Sequence, residues 1–209
     1  MTVRLLYFAN PMCSWCWGFQ PVIHALMEMG YSITVALGTL GAERARPMNE
    51  ADKAKVREHW QHVLERTGQR FDFSFFDWDG FVYDTAPASR ALAVVRARFP
   101  ALAVAFLGRL QERFYALGQD VTDESVLREA AGEFGIQPDV FDAALMDPAV
   151  ATEVAAEWQQ TARLGVSGYP TLLAFEEGKP QVVTIGWRPA DEVLPLVRAI
   201  APAPSSALT

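Results

Sequence analysis

The sequence predicts an α/β fold in which a strand–helix–strand unit and a strand–strand–helix unit are separated by a large, all-helical insertion. Three observations predict it. An apolar run ending at Asn10-Pro11 leads straight into a helix-forming segment and then a second apolar run. From Pro47 to Leu164 the pattern is almost wholly helical. Past Gly165 two short β-rich runs flank a Glu177-Gly178-Lys179 turn, and a final helix follows.

Val3 to Ala9 is apolar, partly β-branched and aromatic, which predicts a buried strand stopped by Asn10-Pro11. Cys13 to about Met29 carries apolar residues at Phe19, Ile23, Leu26 and Met27, a helical spacing, with Gly30 as the stop. Pro21 lies inside that helix and removes the bond to the Trp17 carbonyl, so a kink is expected. Ser32 to Leu37 reads as a second buried strand, and a parallel pair needs such a helical crossover. The insertion opens with Asn49 to Thr67, acidic at its start and ended by Gly68. Ala86 to Phe99 stops at Pro100, and Ala101 to Leu117 sets Ala103, Phe106, Leu107, Leu110, Phe114 and Leu117 on one face. Thr122 reads as the N-cap of a helix ending near Gly135, and Pro138 and Pro148 each open a further helix. Thr171 to Phe175 and Gln181 to Ile185 form a hairpin, Pro189 to Ile200 the last helix, and the Pro/Ala/Ser-rich segment from Ala201 a frayed tail. This is the element order of a thioredoxin-like fold interrupted after its first half. The expected domains are 1–46 with 165–201, a helical insertion 47–164, and a tail 202–209.

A chain of 209 residues with 51% hydrophobic content can build one sizeable core. The net charge of −7 and the lack of any Lys/Arg cluster leave no footprint for phosphate backbones, so no nucleic-acid partner is expected. The longest apolar stretches fall well short of the roughly 20 residues of a membrane span, so no membrane partner is expected either. Leu5 to Ala9 is too short for a secretory apolar region, and the chain reads as cytoplasmic. The sequence sets no oligomeric state.

Only two cysteines occur, and two residues separate them, a spacing that calls for a chemical reason. The thiolate is the reactive form of cysteine, and the partner thiol must sit close enough to resolve a mixed disulfide. Cys13 stands where unpaired helix N–H groups and the positive dipole end stabilise an anion, and Cys16 lies one turn further in on the same face.

The segment Asn10-Pro11-Met12-Cys13-Ser14-Trp15-Cys16-Trp17-Gly18-Phe19 resembles the active-site segment of the DsbA-like thioredoxin-fold oxidoreductases. Gly165-Val166-Ser167-Gly168-Tyr169-Pro170-Thr171 resembles that family's segment around a cis-proline, and Tyr83-Asp84-Thr85 with Ala88-Ser89-Arg90-Ala91 resembles the start of one insertion helix. The resemblance runs to about Ala201. It implies Cys13 as attacking thiolate, Cys16 as resolving thiol, a cis Pro170 packed against the disulfide, and Tyr169 offering its backbone to a substrate, with Ser14 and Trp15 touching substrate between the cysteines. It implies no cofactor beyond the redox-active disulfide, protein or peptide thiols and disulfides as partners, and glutathione as a further candidate. Periplasmic members carry a histidine next to the second cysteine, whereas this chain has Trp15, so reduction or isomerisation is expected rather than strong oxidation. The same superfamily holds kappa-class glutathione transferases and 2-hydroxychromene-2-carboxylate isomerases, with serine in place of the first cysteine. The alternative is therefore a glutathione-dependent isomerase or transferase acting on small aromatic substrates.

Other residues read more plainly. His59 and His62 could complete a zinc site with the cysteines, but their spacing is short for that, and they read as neighbours on a solvated helix face; no metal is expected. His24 reads as a partly buried surface histidine. Trp15 is expected to stay exposed, and Trp17 to serve packing as readily as function. Alternation at Phe71, Phe73 and Phe75 predicts an extended segment, whose rings either pack the insertion onto the core or line a groove near Cys13.

Overall fold

The computed structural model describes residues 4–40, 46–176 and 178–201. Val3, the turn residue Glu177 and the 202–209 tail lie outside them. The chain runs β1 (Arg4–Ala9), α1 (Ser14–Glu28), β2 (Ser32–Leu37), then α2 (Glu50–Thr67), a 3₁₀ segment Phe73–Asp77, and α3 (Ala86–Arg98). A 3₁₀ turn Pro100–Leu102 leads into α4 (Ala103–Tyr115), followed by α5 (Glu124–Gly132), α6 (Pro138–Leu145), α7 (Pro148–Arg163), β3 (Thr171–Glu176), β4 (Lys179–Ile185) and α8 (Ala190–Ile200). Among the described residues the sheet has the order β2-β1-β3-β4. β1 and β2 are parallel, from Arg4 opposite Ser32 to Ala9 opposite Leu37, and β3 and β4 add antiparallel. The fold is thus the thioredoxin-like α/β sheet with helices between its two halves. No helix among the described residues is long and apolar enough to cross a membrane.

Local chemistry explains most boundaries. Asn49 and Asp52 form a reciprocal capping box at the start of α2, and Gly68, at φ 71°, ends it. Asp147 caps α7 ahead of Pro148. The cap of α5 is Asp123, one residue later than expected: its carboxylate accepts the Ser125 N–H, whereas the Thr122 hydroxyl is turned back to Asp120. Pro21 sits within α1, and the Trp17 carbonyl that it deprives of a donor accepts instead from Gln69 Nε2 at 3.0 Å. Ala201 is not part of a frayed tail. It is 2% exposed, and its carbonyl accepts from the Tyr31 hydroxyl at 2.8 Å.

The expected extended segment at Phe71 to Phe75 is a 3₁₀ turn from Phe73 onward, because the Asp72 carboxylate caps the Ser74 N–H. Its rings gather on Trp60 of α2, with Phe75 stacked at 4.9 Å and Phe76 edge-on at 4.9 Å, and Tyr115 of α4 joins them edge-on at 5.0 Å. Aromatic pairs at such distances add roughly 0.5–1.5 kcal/mol each beyond burial. This interior cluster carries Tyr83, whose hydroxyl donates to the Met12 carbonyl at 2.8 Å and so anchors the insertion directly behind the cysteine loop.

Candidate functional site

β1 delivers the chain to the N-terminus of α1 through Asn10, Pro11 and Met12, and this turn is held from inside. Asn10, fully buried, accepts the Met12 N–H through Oδ1 and donates through Nδ2 to the Gly38 carbonyl after β2, both at 2.8 Å. Its own carbonyl accepts from the Cys13 N–H at 3.1 Å and from Gln111 Nε2 at 3.3 Å. Gln20 of α1 donates to Gln111 at 2.6 Å. A buried amide chain therefore ties α1, α4 and the cysteine turn together.

Cys13 is the N-cap of α1, in extended backbone, with its Sγ receiving the Cys16 N–H at 3.3 Å. A helix-terminal N–H donor thus points at the sulfur. The Sγ also lies 3.7 Å from the Tyr169 carbonyl, to which the thiol donates. The Tyr169–Pro170 peptide bond is cis, Pro170 is buried, and the Tyr169 ring lies against Gly38, where any Cβ would come within 2.0 Å of it. Gly38 is thus required by close approach. Both cysteines are free thiols, Cys13 6% exposed and Cys16 fully buried.

Burial pushes the Cys16 thiol well up from its ordinary value, and a hydrogen bond to Cys13 and the charge of Cys13 raise it further; the Asn10 backbone and the Tyr7 hydroxyl pull the other way. Tyr7, also fully buried, has its hydroxyl 3.4 Å from the Cys16 carbonyl, and burial first, then Cys16 and Cys13, raise its own pKa. The two sulfurs are therefore differentiated by position: one at a helix terminus facing the surface, one sealed beneath it.

Trp15 is half-buried, not exposed as expected. His59 and His62 of α2 stand edge-on to its ring at 5.9 and 5.6 Å, and Trp187 tilts against it at 6.0 Å. The two histidines are exposed on α2, as read from the sequence, and in addition edge the Trp15 ring; burial, then His62, lowers the pKa of His59. Ser14 is 6% exposed. Trp17 serves packing, its Nε1 donating to the Arg70 carbonyl at 3.0 Å. His24 is exposed. Of the Phe71–Tyr83 rings, Phe75, Phe76 and Phe81 are buried and Phe71, Phe73, Trp78 and Tyr83 partly so; none of them lines the cleft that holds Trp15 and Tyr169. Among the described residues no three His, Cys, Asp or Glu side chains group to hold a metal ion.

Sequence reasoning missed Asn10, Tyr7, Gln111, Arg66 and Trp187. Asn10 carried a signal as a strand stop and as the first residue of the active-site-like segment, but not as a buried brace; Tyr7 was one apolar residue of β1 among others, and Gln111, Arg66 and Trp187 act through contacts from distant segments, which leave no local pattern. Trp187 Nε1 donates to the Gly18 carbonyl at 3.0 Å, and Arg66 lies 5.6 Å over the Trp187 ring. With Trp15, His62, Tyr169 and Gly186 these two residues line a cleft of about 320 Å³.

Comparison with known proteins agrees with this geometry. The profile of the DSBA-like thioredoxin domain matches residues 4–200. A solved structure from Nitrosomonas europaea, provisionally described as a protein disulfide isomerase, is 30% identical with a TM-score of 0.85 and covers 95% of this chain and 97% of its own. The cytosolic disulfide reductase DsbM from Pseudomonas aeruginosa is 28% identical with a TM-score of 0.74, over 87% of this chain and 89% of its own, and it has also been solved with glutathione. The ClpXP adapter protein SpxH of Shouchella clausii is 25% identical over 86% of this chain. The chain spans about three-fifths of the length of the curated relatives it matches: 60% of that protein and 58% of its Bacillus subtilis counterpart.

Proposed function

The chain belongs to the DSBA-like thioredoxin domain family, and we propose that it acts within that family as a thiol–disulfide oxidoreductase, reducing or isomerising disulfides in a reducing compartment. The observation that carries this reading is the pair of unequal thiols: Cys13 capping α1 with the Cys16 N–H on its sulfur, and Cys16 buried behind it.

The Cys13 thiolate attacks one sulfur of a substrate disulfide; the Cys13–substrate bond forms, the substrate S–S bond breaks, and the other substrate sulfur leaves as a thiolate that takes a proton. Cys16 then loses its proton and attacks Cys13 Sγ. The Cys13–Cys16 disulfide forms and the reduced substrate departs. Among the described residues, the Asn10 backbone and the Tyr7 hydroxyl favour a Cys16 thiolate against the burial that opposes it, which suits a group that ionises only once Cys13 is engaged. Tyr169 faces the same sulfur with its carbonyl and would take a backbone N–H of an extended substrate when Cys13 is in a mixed disulfide. The pair needs no further cofactor; two thiols of a small donor such as glutathione would reduce the Cys13–Cys16 disulfide back to the dithiol and leave as the donor's disulfide.

Two observations support the reducing direction. Between the cysteines stand Ser14 and Trp15, neither of them cationic, and DsbM, a similar protein, is a cytosolic reductase. Cys16→Ser should accumulate covalent adducts with substrate proteins, Cys13→Ser none, and both should lose insulin reduction. Full activity in Cys16→Ser without adducts would overturn the dithiol mechanism. A second reading rests on the adapter relatives: binding of a partner without redox turnover. It predicts that a Cys13→Ser/Cys16→Ser double variant still binds its partner with unchanged affinity, which the dithiol mechanism does not.

A further inference from the structure

Resting on the oxidoreductase reading, we propose that the cleft beside Cys13 is a carboxylate-recognising subsite that selects thiol or disulfide partners bearing an anionic group close to the reacting sulfur, with Arg66 as the anion-binding residue.

The cleft is assembled from four segments of the chain. Trp15 comes from the first turn of α1, His62 and Arg66 from α2, Tyr169 from the loop before β3, and Gly186 and Trp187 from the loop after β4. Two of its lining residues border the reacting sulfur: Trp15 lies between the two cysteines in sequence, and Tyr169 carries the carbonyl that meets Cys13 Sγ.

Its walls are fixed. Trp187 is pinned by its bond to the Gly18 carbonyl, and Gly186 donates to the Pro170 carbonyl at 2.7 Å while its own carbonyl accepts from the Thr184 hydroxyl at 2.9 Å. Gly186 adopts φ 85°, a conformation that a side chain would strain. The Trp15 and Trp187 rings, 6.0 Å apart and inclined by 38°, offer flat apolar surface to a peptide backbone or methylene chain.

The charge of the cleft is one-sided. Arg66, exposed on α2, holds its guanidinium carbon 5.6 Å from the Trp187 ring centroid. Arg96, Arg109 and Arg113 are engaged by Glu157 and Glu133, whereas Arg66 meets no carboxylate among the described residues. No Asp or Glu lines the cleft itself; Glu58 and Glu65 line the neighbouring surface pocket that shares His62, and there Glu65 accepts from Gln61. A positive cleft next to the attacking sulfur, on a chain of net charge −7, is the complement of a small anionic thiol or of an acid-flanked cysteine. His62 adds a ring donor at the rim.

Glutathione has this chemistry. Its thiolate attacks Cys13 Sγ of the oxidised pair, Cys16 leaves and takes a proton, and a second glutathione thiolate attacks the glutathione sulfur, releasing glutathione disulfide and the Cys13 thiolate. Two electrons pass to the protein. A carboxylate held by Arg66 would hold the first sulfur in line.

The experiment measures kcat/KM for insulin reduction driven by glutathione and by its diethyl ester, which lacks both carboxylate charges, with mixed-disulfide peptides carrying Glu or Gln beside the cysteine as a second arm. The native protein should favour the charged member of at least one pair by about tenfold, the size of one charge-assisted hydrogen bond. Arg66→Gln should bring that ratio to within about twofold of one, Arg66→Lys should keep part of it, and Arg163→Gln, an exposed arginine away from the cleft, should leave it unchanged. Loss of the ratio in the first arm identifies a small thiol as the anionic partner, and in the second an acidic protein segment. Equal ratios in the native protein and Arg66→Gln in both arms overturn the subsite. If the native protein fails to turn over with either thiol or with dithiothreitol, the oxidoreductase reading itself falls.

Discussion

Replacing Asn10 by alanine tests whether the cysteine turn is built from within. The side chain is fully buried and makes two bonds at 2.8 Å, one from the Met12 N–H and one to the Gly38 carbonyl. Alanine removes both partners at once in a place water does not reach, since Met12 is fully buried and Gly38 is buried beneath the Tyr169 ring. A buried polar group left without a partner costs about 1–3 kcal/mol, so the pair costs about 2–5 kcal/mol after allowing for relaxation and non-additivity. A chain of this length loses about 2–4 °C of melting temperature per kcal/mol, so a drop of about 4–20 °C is expected in thermal unfolding followed by circular dichroism. Asn10→Asp separates the two bonds. Its carboxylate still accepts from Met12 but faces the Gly38 carbonyl oxygen, and only the protonated acid can donate there. Its deficit should therefore shrink as pH falls through the range in which that buried acid takes up a proton. A loss of less than about 1 °C in Asn10→Ala would refute the reasoning, because the Gln111 and Cys13 bonds to the Asn10 backbone survive the substitution and would then be sufficient alone.

Two further expectations concern titrating groups. Iodoacetamide should label Cys13 and spare Cys16 at neutral pH, because burial raises the Cys16 thiol, and Tyr7→Phe should move Cys16 labelling to still higher pH by removing the hydroxyl that favours its anion; peptide mapping by mass spectrometry reads both, and early labelling of Cys16 contradicts the assignment. Hydrogen bonds from Arg109 and then Arg113 hold the Glu133 carboxyl at about 2, below its ordinary 4.5. A depressed carboxyl contributes stability that is complete above its unfolded value and is lost as pH falls from about 4.5 toward 2; with Glu133 38% exposed, solvent screening reduces this to about 1 kcal/mol. Glu133→Gln should lower the melting temperature near pH 6 by about 2–4 °C and flatten its decline between pH 5 and 2; parallel acid limbs in the two proteins would rule that linkage out.

What was legible in the sequence was what neighbouring residues decide. The strand stop at Asn10-Pro11, the cysteine spacing, the Pro138 and Pro148 helix starts and the Gly68 stop all act within one turn of chain, and each lies where the sequence put it. The errors have equally local causes. Thr122 and Asp123 are both good caps, and the choice fell to Asp120, which takes the Thr122 hydroxyl. Three alternating phenylalanines imitate a strand, yet Asp72 turns the backbone and Trp60, from a separate helix, collects the rings.

The site divides along the same line. Its reactive part, Cys13 at the N-terminus of α1 with Cys16 one turn inside, is specified by a contiguous decapeptide, so it could be read directly. Its walls could not, because Trp15 has a surface-like sequence context and becomes half-buried only when His59 and His62 of the insertion and Trp187 of the second sheet half close on it. Within this chain, then, sulfur chemistry is set by local backbone, while the groups that meet a partner come from segments brought together by folding. Changes in the insertion, at His62 or Arg66, can therefore alter which thiols are accepted while the Cys13–Cys16 geometry stays as it is.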